Sequence, residues 1–270
     1  MPGFETAWSR LVAGLTGQYR GNRVLNRILN DRGRALMGLL ILDLHYNTVE
    51  DGGLTATRLK QVCVETGVCS PGRVTAMLGV LRLFGFLSEV PTADRRVRRL
   101  VPTEKLIATH LARWRHFLEA IAILDPEARP AAGRLGDATF VASQVGAMSL
   151  MFRQGMRMLD YAPELRSVVA RDAGLMILLS IAAEARGAAH REPVDLTISD
   201  LAKRFVVSRG HVLSVLRDAE QEGLILRGGH RRAGIVAMPA LLDAVDRFVA
   251  AGLLIHMVSL RVAPTAGSVE

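Results

Sequence analysis

Aromatic side chains make up only 5% of this 270-residue chain, and cysteine occurs at two positions, Cys63 and Cys69. Two cysteines are too few for a disulfide framework, and without a matching second pair they do not spell a structural zinc site. Lysine is almost missing: of 34 basic residues only Lys60, Lys105 and Lys203 are lysines, which leaves 31 arginines. Long apolar runs are missing too. The longest stretch free of charged or strongly polar residues, about 173–183, falls well short of the ~20 residues a spanning helix takes, so no membrane partner is expected. Met1 to Glu5 shows neither a basic leader nor an apolar stretch ending at a cleavage site, and a cytoplasmic location is expected. Catalytic signatures are equally sparse. There is no His-Glu-x-x-His, Gly-x-Ser-x-Gly or Walker loop, and His110 and His116 fall on different helix faces. No enzymatic activity, metal or cofactor is expected.

What is present is aliphatic and basic. Half of the residues are hydrophobic, which excludes disorder over most of the chain, and the net charge is +8. Arginine offers a planar fork of donors suited to phosphate and guanine edges, so the balance points toward nucleic acid. Helical periodicity dominates, over roughly 4–15, 20–30, 34–46, 55–66, 71–84, 103–124, 138–160, 164–186, 197–205, 209–222 and 239–258. Strand-like residues are confined to two short pairs, 86–90 with 97–101 and 224–227 with 235–238. The segment 126–137, rich in proline and glycine, reads as a linker between a first part, 1–125, and a second, 138–270.

The two parts repeat one another. Residues 70–87 align without gaps with 208–225: Ser70 with Ser208, Gly72 with Gly210, Val74 with Val212, Leu78 with Leu216, Gly85 with Gly223. Leu36–Leu40 matches Leu175–Leu179, and each strand pair ends in a proline, Pro102 or Pro239, that opens an apolar helix. A duplicated unit accounts for this. Each copy reads helix, helix, tight turn, helix, hairpin, helix. Ser70 and Ser208 are N-caps, Pro71 fits the first helical position, and Gly85 and Gly223 end their helices as left-handed caps.

This order of elements resembles the winged helix-turn-helix family, with MarR-type regulators nearest, over 34–124 and 164–258. The resemblance implies a mainly α fold of two tandem units with short two-stranded wings, recognition helices at 71–84 and 209–222, and wings at 88–100 and 227–235. It also implies a sequence-specific regulator of transcription that binds double-stranded DNA, as a single-chain pseudo-dimer or a homodimer. Two features depart from the pattern. The second helix of the first copy reaches Ser70 about one helical turn late, and Ala76, Gly79 and Val80 are expected on the exposed face of 71–84. A tandem winged-helix protein-interaction factor of chromosome segregation and a plasmid-type replication initiator are the alternatives.

The candidate contacts to DNA follow from position. The first wing carries Arg95, Arg96, Arg98 and Arg99, a tip with charge on both faces suited to phosphates or a minor groove. The second carries His230, Arg231 and Arg232 on a glycine-rich loop. Arg209, His211, Ser214 and Arg217, after the cap Ser208, avoid the buried face of the second recognition helix; Ser70, Arg73, Thr75 and Arg82 are what the first offers. Residues up to Asp125 hold 17 basic and 11 acidic side chains (+6) and the remainder 17 and 15 (+2). Non-specific affinity is therefore expected mainly from the first copy and base reading from the second. The methionine-rich stretch around Met148, Met151, Met156 and Met158 suits a protein partner, a small apolar effector or simple core packing. Cys63 is expected to be a buried helix residue and Cys69 to lie in the turn, where an oxidation sensor is one reading.

Overall fold

The computed structural model describes residues 3–28, 32–48, 52–92, 98–187, 192–228 and 234–262. The fold is mainly helical, with two small antiparallel sheets. In chain order the elements are α1 (Phe4–Tyr19), α2 (Arg23–Ile28), α3 (Arg32–Tyr46), α4 (Ala56–Glu65), α5 (Pro71–Leu83), β1 (Leu87–Val90), β2 (Arg99–Pro102) and α6 (Glu104–Leu124). They continue with α7 (Ala138–Arg153), α8 (Arg166–Val169), α9 (Gly174–Gly187), β3 (Pro193–Val194), α10 (Ile198–Phe205), α11 (Arg209–Gln221), β4 (Ile225–Arg227), β5 (Ile235–Ala237) and α12 (Pro239–Val262).

Three stretches differ from the sequence reading. The helix expected over 138–160 stops at Arg153, because Gly155 turns the chain with φ 96°. The helix expected over 164–186 is two helices. Buried Ala173 adopts φ 59°, and Gly174 starts α9 where any Cβ would run into the Val168 carbonyl oxygen. The proline-rich stretch 126–137 is not a bare linker. Asp125 Oδ1 accepts from Glu127 N at 3.1 Å, Pro126 opens a 3-10 helix over Pro126–Gly136, and Ala131 and Leu135 are buried.

Nor does the chain divide at that stretch. One compact unit is made of described residues within 1–32 and 157–253, the other of those within 33–156 and 254–270. In the unit that contains α11, α1 presents Ala7, Trp8, Leu11, Val12, Leu15 and Tyr19 at helical spacing, all buried. The Arg186 guanidinium on α9 covers the Trp8 ring at 4.0 Å and holds the carboxylates of Glu5 on α1 and Asp246 on α12. Burying an aliphatic or aromatic side chain contributes about 1.5–3 kcal/mol, so this stripe fixes α1 far more than the ion pairs do. The sheet of this unit has the order β3-β5-β4, with Val194 paired to Ile235 and Ile225 to Ala237.

In the unit that contains α5, Trp114 and Leu118 of α6 join Leu42 of α3, Ala131, Leu135, and Phe140, Val141, Val145 and Met148 of α7 in one apolar cluster. Asp43, buried on α3, ties α7 in. Its Oδ2 accepts from Ser149 Oγ at 2.7 Å and Arg153 Nη2 at 2.8 Å, and its Oδ1 from Asn47 Nδ2 at 3.2 Å. A buried carboxylate persists only with such partners. The last turns of α12 belong here as well: His256 stacks on Phe117 at 4.0 Å, and Ser259 Oγ donates to Gln144 Oε1 at 2.8 Å. The β1–β2 ribbon pairs Leu87 with Pro102, and a single bridge from Thr55 to Arg99 stands where the other sheet has β3.

Candidate functional site

The segment from α4 to β2 and the segment from α10 to β5 carry the same local devices. Thr55 and Thr197 cap α4 and α10 through their side chains. Ser70 Oγ accepts from Arg73 N at 3.4 Å, and Ser208 Oγ from His211 N at 3.0 Å. Val74, Met77, Leu78 and Leu81 line the buried side of α5, and Val212, Val215, Leu216 and Ala219 that of α11. Gly85 (φ 69°) and Gly223 (φ 70°) then turn the chain into β1 and β4. Pro239 opens α12, whereas Pro102 is the last residue of β2 and Thr103 caps α6.

One further correspondence is electrostatic. Arg82 Nη2 at the end of α5 meets Glu89 Oε1 on β1 at 2.8 Å. At the aligned positions of the other copy, Glu220 on α11 meets Arg227 on β4, with Arg227 Nε 2.9 Å from Glu220 Oε2. The helix-to-strand tie is kept and its charges are exchanged. Hydrogen bonds from Arg227 hold the Glu220 carboxyl below its ordinary range.

The outward faces differ. On α11 a 100° rotation per residue places Gly210, Ser214, Arg217 and Gln221 opposite the buried stripe, with Leu213 beside them. Arg209 and Arg217 are exposed and hold no carboxylate among the described residues, whereas Arg166, Arg171, Arg227 and Arg247 of the same unit each hold one and Arg186 holds two. His211, expected to point outward, turns instead to the bend between α8 and α9, where its Nε2 lies 2.7 Å from the Asp172 carbonyl oxygen. Arg171 Nε meets Asp218 Oδ2 at 2.7 Å on the same flank, so this bend braces α11 at both ends of one side. His230, Arg231 and Arg232 lie outside the described residues; Gly228 N donates to Gly234 O at 3.1 Å across the base of their loop.

On α5 the outward residues are Gly72, Thr75, Ala76, Gly79 and Leu83, the last 81% exposed. Val80, expected outside, is half-buried. Thr75 Oγ1 donates to Pro71 O at 3.0 Å within its own helix, and Arg73 is exposed. Arg98 Nη1 meets Glu89 Oε2 at 3.1 Å, so Glu89 stands between Arg82 and Arg98 and neutralises part of the expected basic wing. Arg99 lies against Gly53, and its charge adds to burial in lowering the His45 pKa. Arg95 and Arg96 lie outside the described residues.

The acids that organise these arginines, Glu89, Asp218 and Glu220, do not figure in the sequence reading. The seven-residue spacing of an opposite-charge pair in both aligned copies was the available signal for two of them. Among the described residues no three His, Cys, Asp or Glu side chains gather as a metal site, and no helix is long and apolar enough to cross a membrane. No protein-family model matches the chain, and neither a curated protein nor a solved structure is significantly similar to it.

Proposed function

We propose that the protein is a sequence-specific, double-stranded-DNA-binding regulator of transcription, built of two tandem winged helix-turn-helix copies, and that α11 is its reading helix. The observation that carries the proposal is the outward face of α11. Arg217 stands there exposed beside Ser214, and Arg209 is exposed at the first helical position, both without carboxylate partners among the described residues, on a helix whose other side is buried and braced. Cations left unpaired on a rigid helix suit a helix lying in a major groove, where arginine pairs with guanine and serine with either base or phosphate. The aligned caps, glycine turns and helix-to-strand ion pairs support the duplicated-unit part of the reading.

Binding to duplex DNA at rising salt is the test. Affinity is expected to fall between about 50 and 200 mM salt, with a log–log slope of about 0.9 per neutralised phosphate. Arg209→Ala and Arg217→Ala are each expected to weaken a selected site by ~1–3 kcal/mol and random duplex by much less. Absence of binding, or binding indifferent to salt, overturns the proposal.

A protein-interaction role for the first copy has its own support. The small and apolar outward face of α5, ending in Leu83, offers no free cation there and suits a protein partner better than phosphate.

A further inference from the structure

The chain's two cysteines sit at the turn between α4 and α5, and the second copy makes the corresponding turn without either. α4 ends in Gly67 with φ 66°, after which Val68 N donates to Cys63 O at 2.8 Å. α10 ends in the same way on Val206 with φ 54°, and Val207 N donates to Ala202 O at 3.1 Å. Cys63 thus stands where the other copy has Ala202. From Gly67 to the cap Ser70 the chain inserts Val68 and Cys69; from Val206 to the cap Ser208 it inserts Val207 alone. Cys69 belongs to the longer turn, and the fold-back lays it on Cys63, so that the thiols hydrogen-bond to one another. Cys63 is fully buried and Cys69 half-buried.

We propose that Cys63 and Cys69 are a peroxide-reactive pair that closes into an intramolecular disulfide across the α4–α5 turn. Their roles are set by access. Burial, with Cys69 adding to it, pushes the Cys63 thiol up to about 12, which keeps it protonated and inert toward solvent oxidants. The partly accessible Cys69 meets the peroxide first. Its thiolate attacks one peroxide oxygen, the O–O bond breaks, and the departing hydroxide takes a proton and leaves as water, which makes Cys69 a sulfenic acid. The Cys63 sulfur then attacks the Cys69 sulfur; the S–O bond breaks, and the hydroxyl leaves with the Cys63 proton as a second water. Two thiols lose two electrons and two protons, and one hydrogen peroxide becomes two waters. The disulfide joins the last turns of α4 covalently to the residue before the α5 cap. The pair stands independently of any DNA binding.

The test uses the folded full-length chain and stoichiometric hydrogen peroxide, followed by alkylation under denaturing conditions and intact and peptide mass measurement. Loss of both alkylatable thiols is expected, in a monomeric chain lighter by two hydrogens and restored by dithiothreitol. Closure is expected at least about ten-fold faster than in urea-unfolded protein, since the fold holds the sulfurs in contact. Cys63→Ala, which installs the residue of the second copy, is expected to fold and to accumulate a Cys69 sulfenic acid trapped by dimedone. Two alkylatable thiols after treatment, disulfide-linked dimers, Cys69 sulfinic acid beside an alkylatable Cys63, or equal rates folded and unfolded each overturn the proposal.

Discussion

His110 shows how one buried side chain sets a pH limit on the unit around it. Its ring is 1% exposed on α6, with Nδ1 2.9 Å from Arg113 Nη2. A guanidinium only donates, so Nδ1 accepts and the proton of the neutral ring sits on Nε2. Gly38 of α3 faces that edge so closely that a Cβ there would overlap the ring. Burial holds the His110 pKa well below its ordinary value of 6.5, and Arg113 lowers it further. Below that pH the unfolded chain takes up a proton that the folded chain refuses. Stability therefore falls as pH drops through the ordinary value, by up to about 1.4 kcal/mol per pH unit until the folded ring also titrates. Urea midpoints at about pH 7.5 and about pH 5.5 are expected to show this loss, and His110→Phe to show clearly less of it. The slope that remains belongs in part to His45, whose pKa is lowered by burial and by Arg99. A variant as pH-sensitive as the parent refutes the assignment. Val206 is a second residue-scale case: a β-branched side chain at φ 54°, where the first copy has Gly67. Val206→Gly is expected to stabilise the chain by about 1 kcal/mol in urea unfolding, and a loss of stability would show that the 41% exposed side chain holds the turn by packing.

At the scale of elements, the two copies preserve a tie while exchanging its charges, Arg82 with Glu89 and Glu220 with Arg227. Such partly exposed pairs are worth little singly, about 0–1 kcal/mol, so their part is to set where the strand leaves the helix. Arg82→Glu alone places like charges together and is expected to lower thermal stability. Adding Glu89→Arg is expected to restore most of the loss, and a double-mutant cycle without coupling would mean that the pair is a surface coincidence. Elements that rest on local chemistry were legible in the sequence. Ser208, Val212, Leu216 and Gly223 mark α11 by cap, stripe and stop, and the aligned Ser70, Val74, Leu78 and Gly85 mark α5. What depends on distant partners was not. β3 is two residues that become a strand only by pairing with β5, and the break before α9 rests on buried Ala173 at positive φ. The candidate site divides in the same way. The exposure of Arg217 follows from helical spacing and that of Arg209 from its place at the first helical position, but the turning of His211 toward Asp172 depends on where α8 ends.

On the scale of the whole molecule, the order of the sequence and the partition of contacts disagree. The repeat invites a cut between 1–125 and 138–270, but α1 packs on α9, and α7 belongs with α3 and α6. Each repeat thus completes its core with helices that lie on the other side of the apparent boundary. Pro126–Gly136, which carries the composition of a linker, buries Ala131 and Leu135 because the apolar cluster of α6 and α7 closes over it. Two consequences can be measured. Trp8→Ala is expected to destabilise the full chain by about 3–5 kcal/mol, the cost of emptying a buried indole site, although α1 lies far in sequence from the helix it covers. Severing the chain at 126–137 is expected to leave neither piece folded. The fragment 138–270 loses the Trp8 stripe that covers α9, and 1–125 loses Ser149 and Arg153, which satisfy the buried Asp43 carboxylate. Each fragment alone is expected to show depressed helicity and no cooperative melting by circular dichroism, and mixing the two to restore both. If 138–270 melts cooperatively by itself near the temperature of the intact protein, α1 is dispensable and the interleaved partition is not what stabilises the fold.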